Sequence, residues 1–292
     1  MTRLLYEHVL NMQSISSQFT GILQCVNDAQ IFLIDNVAEY YFMSEQRFNL
    51  SDFPNLAPPF GFMYFEYAQP RYYHDGKQLV ESDYSGRQGV LFMSAEISDI
   101  EASPHVRKMK GFGAKWAIAI VEFCEYPKNT PHISPGAEII YVDYRGRYVS
   151  PDPTSKTEST NFTEEWLTVD DELRDGFGSI RRPALLATSL MHCKNVKTVP
   201  RGKGTTPGKR NHNPCKFTYK VLDIEPMKQV LRTEGKSESV GLRRALHICR
   251  GHFKDYTEHG LFGRNKGIYW WDSAVRGNID AGIVLKDYRV KI

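Results

Sequence analysis

The chain has 292 residues, 41% of them hydrophobic and 24% charged, with a formal net charge of +3. That is enough to bury a full core and more than most single domains hold, so two lobes are expected. The sequence has no run of about 18 apolar residues and no signal-peptide pattern at its start, which predicts a soluble intracellular protein and no membrane partner. Its five Cys, at 25, 124, 193, 215 and 249, are odd in number and scattered, the pattern of reduced thiols and not of a disulfide framework.

The small net charge conceals an uneven layout. Residues 1–178 carry 14 Lys+Arg against 25 Asp+Glu, net −11, and residues 179–292 carry 23 against 9, net +14. A basic block of that size is what phosphate-backbone binding needs, because Lys and Arg release counterions there. Two lobes of opposite sign neutralising each other across an internal interface would produce the same layout.

Leu4 to Val26 places apolar residues at helical spacing and lacks Pro, which predicts an amphipathic helix. Ala29 to Phe42 reads as a second helix-compatible run, closed by the turn-rich SDFPNLAPPFG. Four β-rich segments follow, Phe62 to Tyr67, Gly89 to Glu96, Lys115 to Tyr126 and Ala137 to Tyr144, an antiparallel sheet for the first helices to pack on. Glu66, Glu96, Glu122, Glu125 and Asp143 fall on or beside these strands; they read first as polar strand faces and second as ligands that two or more strands bring to a metal.

Ser150 to Thr160 is a polar loop, and an acidic helix is expected over Thr163 to Glu172. Pro183 to Val196 predicts a helix with Pro at its start and a basic end, and Lys197 to Lys216 a flexible basic arm in which Lys203, Lys209 and Arg210 would track phosphates. Lys216 to Ile224 reads as a strand, Pro226 to Arg232 as a short helix, and Gly282 to Val290 as a last strand. Together these elements define an α+β protein: an acidic helix-plus-antiparallel-sheet lobe over 1–178, a helix and basic linker over 179–215, and a small basic antiparallel-sheet lobe over 216–292.

Between those last strands lies the densest concentration of chemistry. Arg243 to Gly277 holds three His, five Arg, two Tyr and two Trp. Alternation over 245–256 puts Arg250, His252, Lys254 and Tyr256 on one strand face, and GIYWWDSA, Gly267 to Ala274, returns as the partner strand after a loop punctuated by Gly260, Gly263 and Gly267. His247 falls on the opposite face, but a bulge at Gly251 would exchange the faces. MHCKNV (191–196), YKVLDIEPM (219–227) and HICRGHFKDYTEHGLFGRNKGIYWWDSAVRG (247–277) resemble a family of uncharacterised proteins encoded by bacterial phages and other mobile elements. The likeness covers roughly the last hundred residues and implies a viral or mobile-element context, in the host cytoplasm or on a virion, without implying a chemistry.

The sharpest chemical reading is a metal-independent ribonuclease. Cleavage through the 2′-hydroxyl needs a base, an acid and cations, which Arg250, His252, Tyr256, His259 and Arg276 could supply without a cofactor. Lys254, Arg264 and Lys266 would add phosphate contacts, and Trp270 and Trp271 base stacking. A small sheet with one short helix also resembles endoribonuclease toxins of the RelE type, by fold-level analogy. The alternative is a non-enzymatic nucleic-acid-binding or virion-associated protein using the same residues as a platform, with RNA favoured over DNA as partner. A zinc site at His192, Cys193, His212 and Cys215 has four suitable donors but lacks the Cys-x-x-Cys knuckle. Gly111-Phe112-Gly113 and Gly202-Lys203-Gly204 fall short of a nucleotide-binding loop, and no G-x-S-x-G elbow is present.

Overall fold

A computed structural model describes residues 5–10, 20–44, 49–75, 78–81, 86–100, 104–126, 130–150, 180–202, 218–225, 245–249, 251–261, 263–271, 274–276 and 278–283. The protein is α+β and divides into two compact units, Met1–His192 with Thr198–Asp223, and Cys193–Lys197 with Ile224–Ile292.

The first unit is built on a mixed sheet. It contains β1 (Gln30–Leu33), β2 (Phe62–Ala68), β5 (Arg87–Glu96), β6 (Ala114–Tyr126), β7 (Thr130–Asp143), β8 (Val196–Gly202) and β9 (Thr218–Ile224), in the order β7-β6-β5-β2-β1-β9-β8. β2, β5, β6 and β7 pair antiparallel as the sequence predicts, while β1 lies parallel to both β2 and β9. A separate hairpin joins β3 (Tyr72–Asp75) to β4 (Gln78–Glu81).

Helices cover both faces. On one, α1 (Leu5–Leu10) and α2 (Thr20–Asp28) pack Leu5, Tyr6, Val9 and Val26 onto Ile31, Tyr64, Leu91, Val121 and Phe123; α4 (Pro104–Gly111) packs Met109 against Ile97, Ala117 and Tyr141. The opposite face carries a row of rings, with Phe32, Phe65 and Phe92 at successive centroid distances of 5.3 and 5.1 Å. It is covered by α3 (Asp35–Met43), whose Phe42 ring meets Tyr67 of β2 at a tilt, and by α5 (Arg182–Met191), which contacts α3. Each aromatic pair contributes stabilisation beyond its buried area.

Several elements differ from expectation. The run from Ala29 is a strand before it is a helix, because IFLI is as fit for a strand buried on both faces as for a helix turn. The helix from Pro183 ends at Met191, five residues early. Basic residues 196–202 form edge strand β8 instead of a flexible arm, and 218–224 joins β1 instead of a C-terminal sheet. Counted by unit, the charge contrast therefore softens: the first unit holds 22 Lys+Arg against 26 Asp+Glu, net −4, and the second 15 against 8, net +7. The expected loop and acidic helix over 150–172 are described only at Ser150, and the short helix from Pro226 lies outside the described residues altogether.

Among the described residues no group of three His, Cys, Asp or Glu is placed to hold a metal. Glu66 pairs with Arg87, Glu96 with Lys115, and Glu122 with Arg181. Asp143 accepts the backbone N–H groups of Arg145 and Arg147 in a turn, and the Glu125 side chain lies outside the described residues. No helix among the described residues is long and apolar enough to cross a membrane.

Candidate functional site

The second unit contains the expected strand pair. β10 (Ala245–Cys249) and β11 (His252–Asp255) pair antiparallel with β13 (Ala274–Arg276) and β12 (Ile268–Trp271) respectively. Cys249 faces Ala274 and His252 faces Trp271, three residues further on both strands, so the two ladders keep one register. The exchange of faces that a bulge at Gly251 would cause does not occur. β14 (Asn278–Ile283) lies beside β10 in parallel, not antiparallel, and starts four residues earlier than expected.

On the hairpin, His252 stands opposite Trp271 and Lys254 opposite Tyr269, which puts all four side chains on one face. The ladder continues to Tyr256, whose N–H donates to the Gly267 carbonyl at 2.9 Å. Lys254 Nζ sits 5.1 Å from the Trp271 ring centroid and the Tyr256 and Tyr269 rings meet edge to face at 6.0 Å. His252 and Lys254 are exposed, Tyr256 and Trp271 half-buried. On the other face Trp270 is 1% exposed and meets the Phe253 ring edge to face at 4.7 Å. Trp270 is thus a packing residue and no platform for bases, a correction with a simple cause: adjacent residues of a strand point to opposite faces, so of the Trp pair only Trp271 shares the His252 side.

The loop from Thr257 to Gly267 folds back on itself. Asp255 Oδ1 accepts the Thr257 N–H at 2.9 Å and its hydroxyl at 2.6 Å, Leu261 and Asn265 bridge antiparallel, and buried Leu261 packs with Tyr256, Tyr269 and Trp271. Gly260 and Gly263 take φ of 69° and 74°, a backbone that side chains with a Cβ resist. The fold leaves Arg264 and Lys266 exposed.

The hairpin is held by residues 193–195, a structural role that neither the resemblance nor the zinc reading of this segment pointed to. Cys193 bridges Ile268 in parallel and the Lys194 N–H donates to the Ile268 carbonyl at 2.8 Å, while the buried Asn195 side chain bonds the Trp270 backbone. The only available signal was the polar Asn at the end of an apolar run, which is equally a helix-end residue.

His259 is exposed in the loop with Nε2 3.8 Å from Glu258 Oε2. Arg276 lies on β13, opposite His247, and their side chains are outside the described residues, as are Arg250, Lys203, Lys209, Arg210, His212 and Cys215. Of the zinc candidates, His192 hydrogen-bonds through Nε2 to the Ala57 carbonyl at 2.8 Å, and burial pushes the Cys193 thiol up to about 12, far from the thiolate a metal needs.

Comparisons with protein-family models, with curated proteins and with solved structures return no match.

Proposed function

We propose that the hairpin face binds single-stranded nucleic acid, RNA before DNA, as a platform and not as a catalytic centre. The observation that carries this is the arrangement of His252, Lys254 and Tyr256 along a strand beside Trp271, with Lys254 already over the indole. Residues two apart on a strand stand about 7 Å apart and residues four apart about 13 Å. His252 and Tyr256 are thus too far apart to serve one phosphate as base and acid, yet well spaced to meet successive nucleotides. Cations on the loop and rings on the strand are the two components of sequence-tolerant single-strand binding. The net charge of +7 on this unit supports the same reading.

The likeness to phage and mobile-element proteins suggests a role in host cytoplasm or on a virion. The test is a labelled oligonucleotide, as RNA and as DNA, titrated with the full chain at low and physiological salt, alongside a cleavage assay. Binding that weakens with salt, drops in a Trp271→Ala variant and is unaccompanied by cleavage is the expected result. Cleavage abolished by His252→Ala would instead favour the ribonuclease, and an absence of binding at low salt would remove both.

A further inference from the structure

One end of the mixed sheet carries a surface unlike the rest of its unit. Residues 104–116 and 144–147 hold six Lys or Arg and no Asp or Glu, within a unit whose net charge is −4. α4 turns Met109 and Val106 into the core and leaves Arg107, Lys108 and Lys110 exposed. Gly113, at φ 87°, then turns the chain into β6. Ala114 of β6 is the ladder partner of Asp143 at the end of β7, so the residues just beyond each, Phe112 on one side and Tyr144 and Arg145 on the other, share that end of the sheet. Asp143, whose Oδ1 accepts the N–H groups of Arg145 and Arg147, each at 2.8 Å, offsets one of the six cations at this end of the sheet.

Three rings punctuate the cations. Lys108 Nζ lies 5.7 Å from the Phe112 centroid, Lys115 Nζ 4.6 Å from the Trp116 ring centroid, and the Arg145 guanidinium 5.3 Å from that of Tyr144, whose hydroxyl accepts from Arg145 Nε at 2.7 Å. Phe112 is 44% and Tyr144 67% exposed, large apolar areas left in water on a folded unit. Lys115 also pairs with Glu96 at 3.6 Å, with both side chains near half exposed (44% and 49%). An ion pair of that kind is worth little and exchanges readily for a phosphate.

We infer that this surface is a second binding site for single-stranded nucleic acid, with Lys108, Lys115 and Arg145 meeting phosphates and Phe112, Trp116 and Tyr144 stacking bases. Alternating cations and rings are the components of such a site, and the ring faces are sequence-tolerant. A membrane surface also attracts Lys, Arg and aromatic residues, but it requires a continuous apolar face to enter the interface. Here the apolar side of α4 is committed to the core, and each ring sits on a different segment with a cation over it. The inference goes beyond the hairpin reading and stands or falls separately from it.

The probe is a short oligouridylate, fluorescein-labelled for affinity and 5-iodouridine-substituted for photo-crosslinking, applied to the full chain. Crosslinks mapped by mass spectrometry should fall on Phe112, Trp116 or Tyr144 and persist in Trp271→Ala. Replacing Lys108, Lys115 and Arg145 together by Ser should weaken binding about tenfold at low salt and flatten the slope of log affinity against log salt by about two, the loss of three single-strand phosphate contacts. All three side chains are exposed, and the crosslink map on the unsubstituted protein needs no variant to fold. Crosslinks confined to other residues, with affinity in the triple variant within about twofold of the parent, would overturn the proposal. So would a triple variant that keeps oligonucleotide binding but loses binding to phosphatidylserine vesicles, which would assign the surface to a membrane.

Discussion

Asn195 grips the backbone of Trp270 at both ends: its Nδ2 donates to the Trp270 carbonyl and its Oδ1 accepts the Trp270 N–H, each at 2.9 Å. The same Nδ2 donates to the Glu225 carbonyl at 2.9 Å, and the Asn195 carbonyl accepts the Glu225 N–H at 2.8 Å. At 2% exposure, one amide side chain thus supplies the hydrogen bonds that a third strand would give to that edge of the hairpin. The Lys254–Trp271 face depends on it, because Trp270 and Trp271 are neighbours in β12.

Replacing Asn195 by Ala strips three bonds, one to the Trp270 N–H, one to the Trp270 carbonyl and one to the Glu225 carbonyl. The expected cost is about 2–4 kcal/mol, since each orphaned buried group costs on the order of 1–3 kcal/mol. Amide exchange at Trp270 should accelerate and tryptophan fluorescence shift red. Unchanged exchange at Trp270 would show that the hairpin holds itself.

Glu66 plays a comparable part in the first unit. It is 0% exposed, takes the Leu5 N–H on Oε1 at 2.9 Å and the Tyr6 N–H on Oε2 at 2.8 Å, and pairs with Arg87 through Nε. These N–H groups are the ones that the first turn of α1 leaves unsatisfied, so β2 supplies a cap from 60 residues away. Removing one member of a buried pair strands the other, so Arg87→Met should cost about 3–5 kcal/mol. Adding Glu66→Gln to it should cost less than the sum of the single changes, because no uncompensated charge remains. Denaturant unfolding of the two single variants and the double variant reads this out, and strictly additive losses would refute the coupling.

Neither device is visible in sequence, for the same physical reason. The antiparallel strands from Phe62 to Asp143 announce themselves by alternation and turn residues, and so does the register of His252, Lys254 and Tyr256, since side-chain direction follows from a period of two. Asn195 and Glu66 act on backbone groups 75 and 61 positions distant, and no local pattern encodes a partner at that range. β1 was misread because Ile31 to Ile34 is a short apolar run whose period cannot separate a strand from a helix turn. Charge has no period at all, so residues 197–202, the start of the expected basic arm, gave no sign of β8, which pairs with β9 in the sheet.

Glu122 gives a pH dependence. Burial is the main cause that pushes its carboxyl up to about 8 from 4.5, with Glu138 adding to the rise and Arg181 opposing it. One guanidinium faces two carboxylates and lies closer to Glu138, at 2.5 Å against 3.6 Å for Glu122. Between pH 4.5 and about 8 the folded chain keeps a proton that the unfolded chain has released, so unfolding sheds that proton and stability falls as pH rises. Stability from this group is complete below that lower value and is lost as pH rises through about 8. Thermal midpoints should fall from about pH 4.5 to about pH 8 and level off above it, and Glu122→Gln, which keeps the neutral form, should flatten the decline. A variant with the parent's slope would place the titration elsewhere.

The hairpin surface makes a prediction in which charge and stacking separate. Lys254 stands over Trp271, so a base that stacks on the indole must share it with the ammonium or displace it. If Lys254 meets a phosphate when nucleic acid binds, Lys254→Met should lower the slope of log affinity against log salt by about 0.7, the value for one single-strand contact, while weakening all sequences alike. Trp271→Ala should leave that slope unchanged and cost about 1–3 kcal/mol of affinity at every salt concentration, because stacking is not screened. The double variant should lose less than the sum, since the ammonium is positioned by the ring it covers. A Trp271→Ala variant with a reduced salt slope, or a Lys254→Met variant with none of its own, would mean that the two side chains serve the fold of the hairpin and not a ligand.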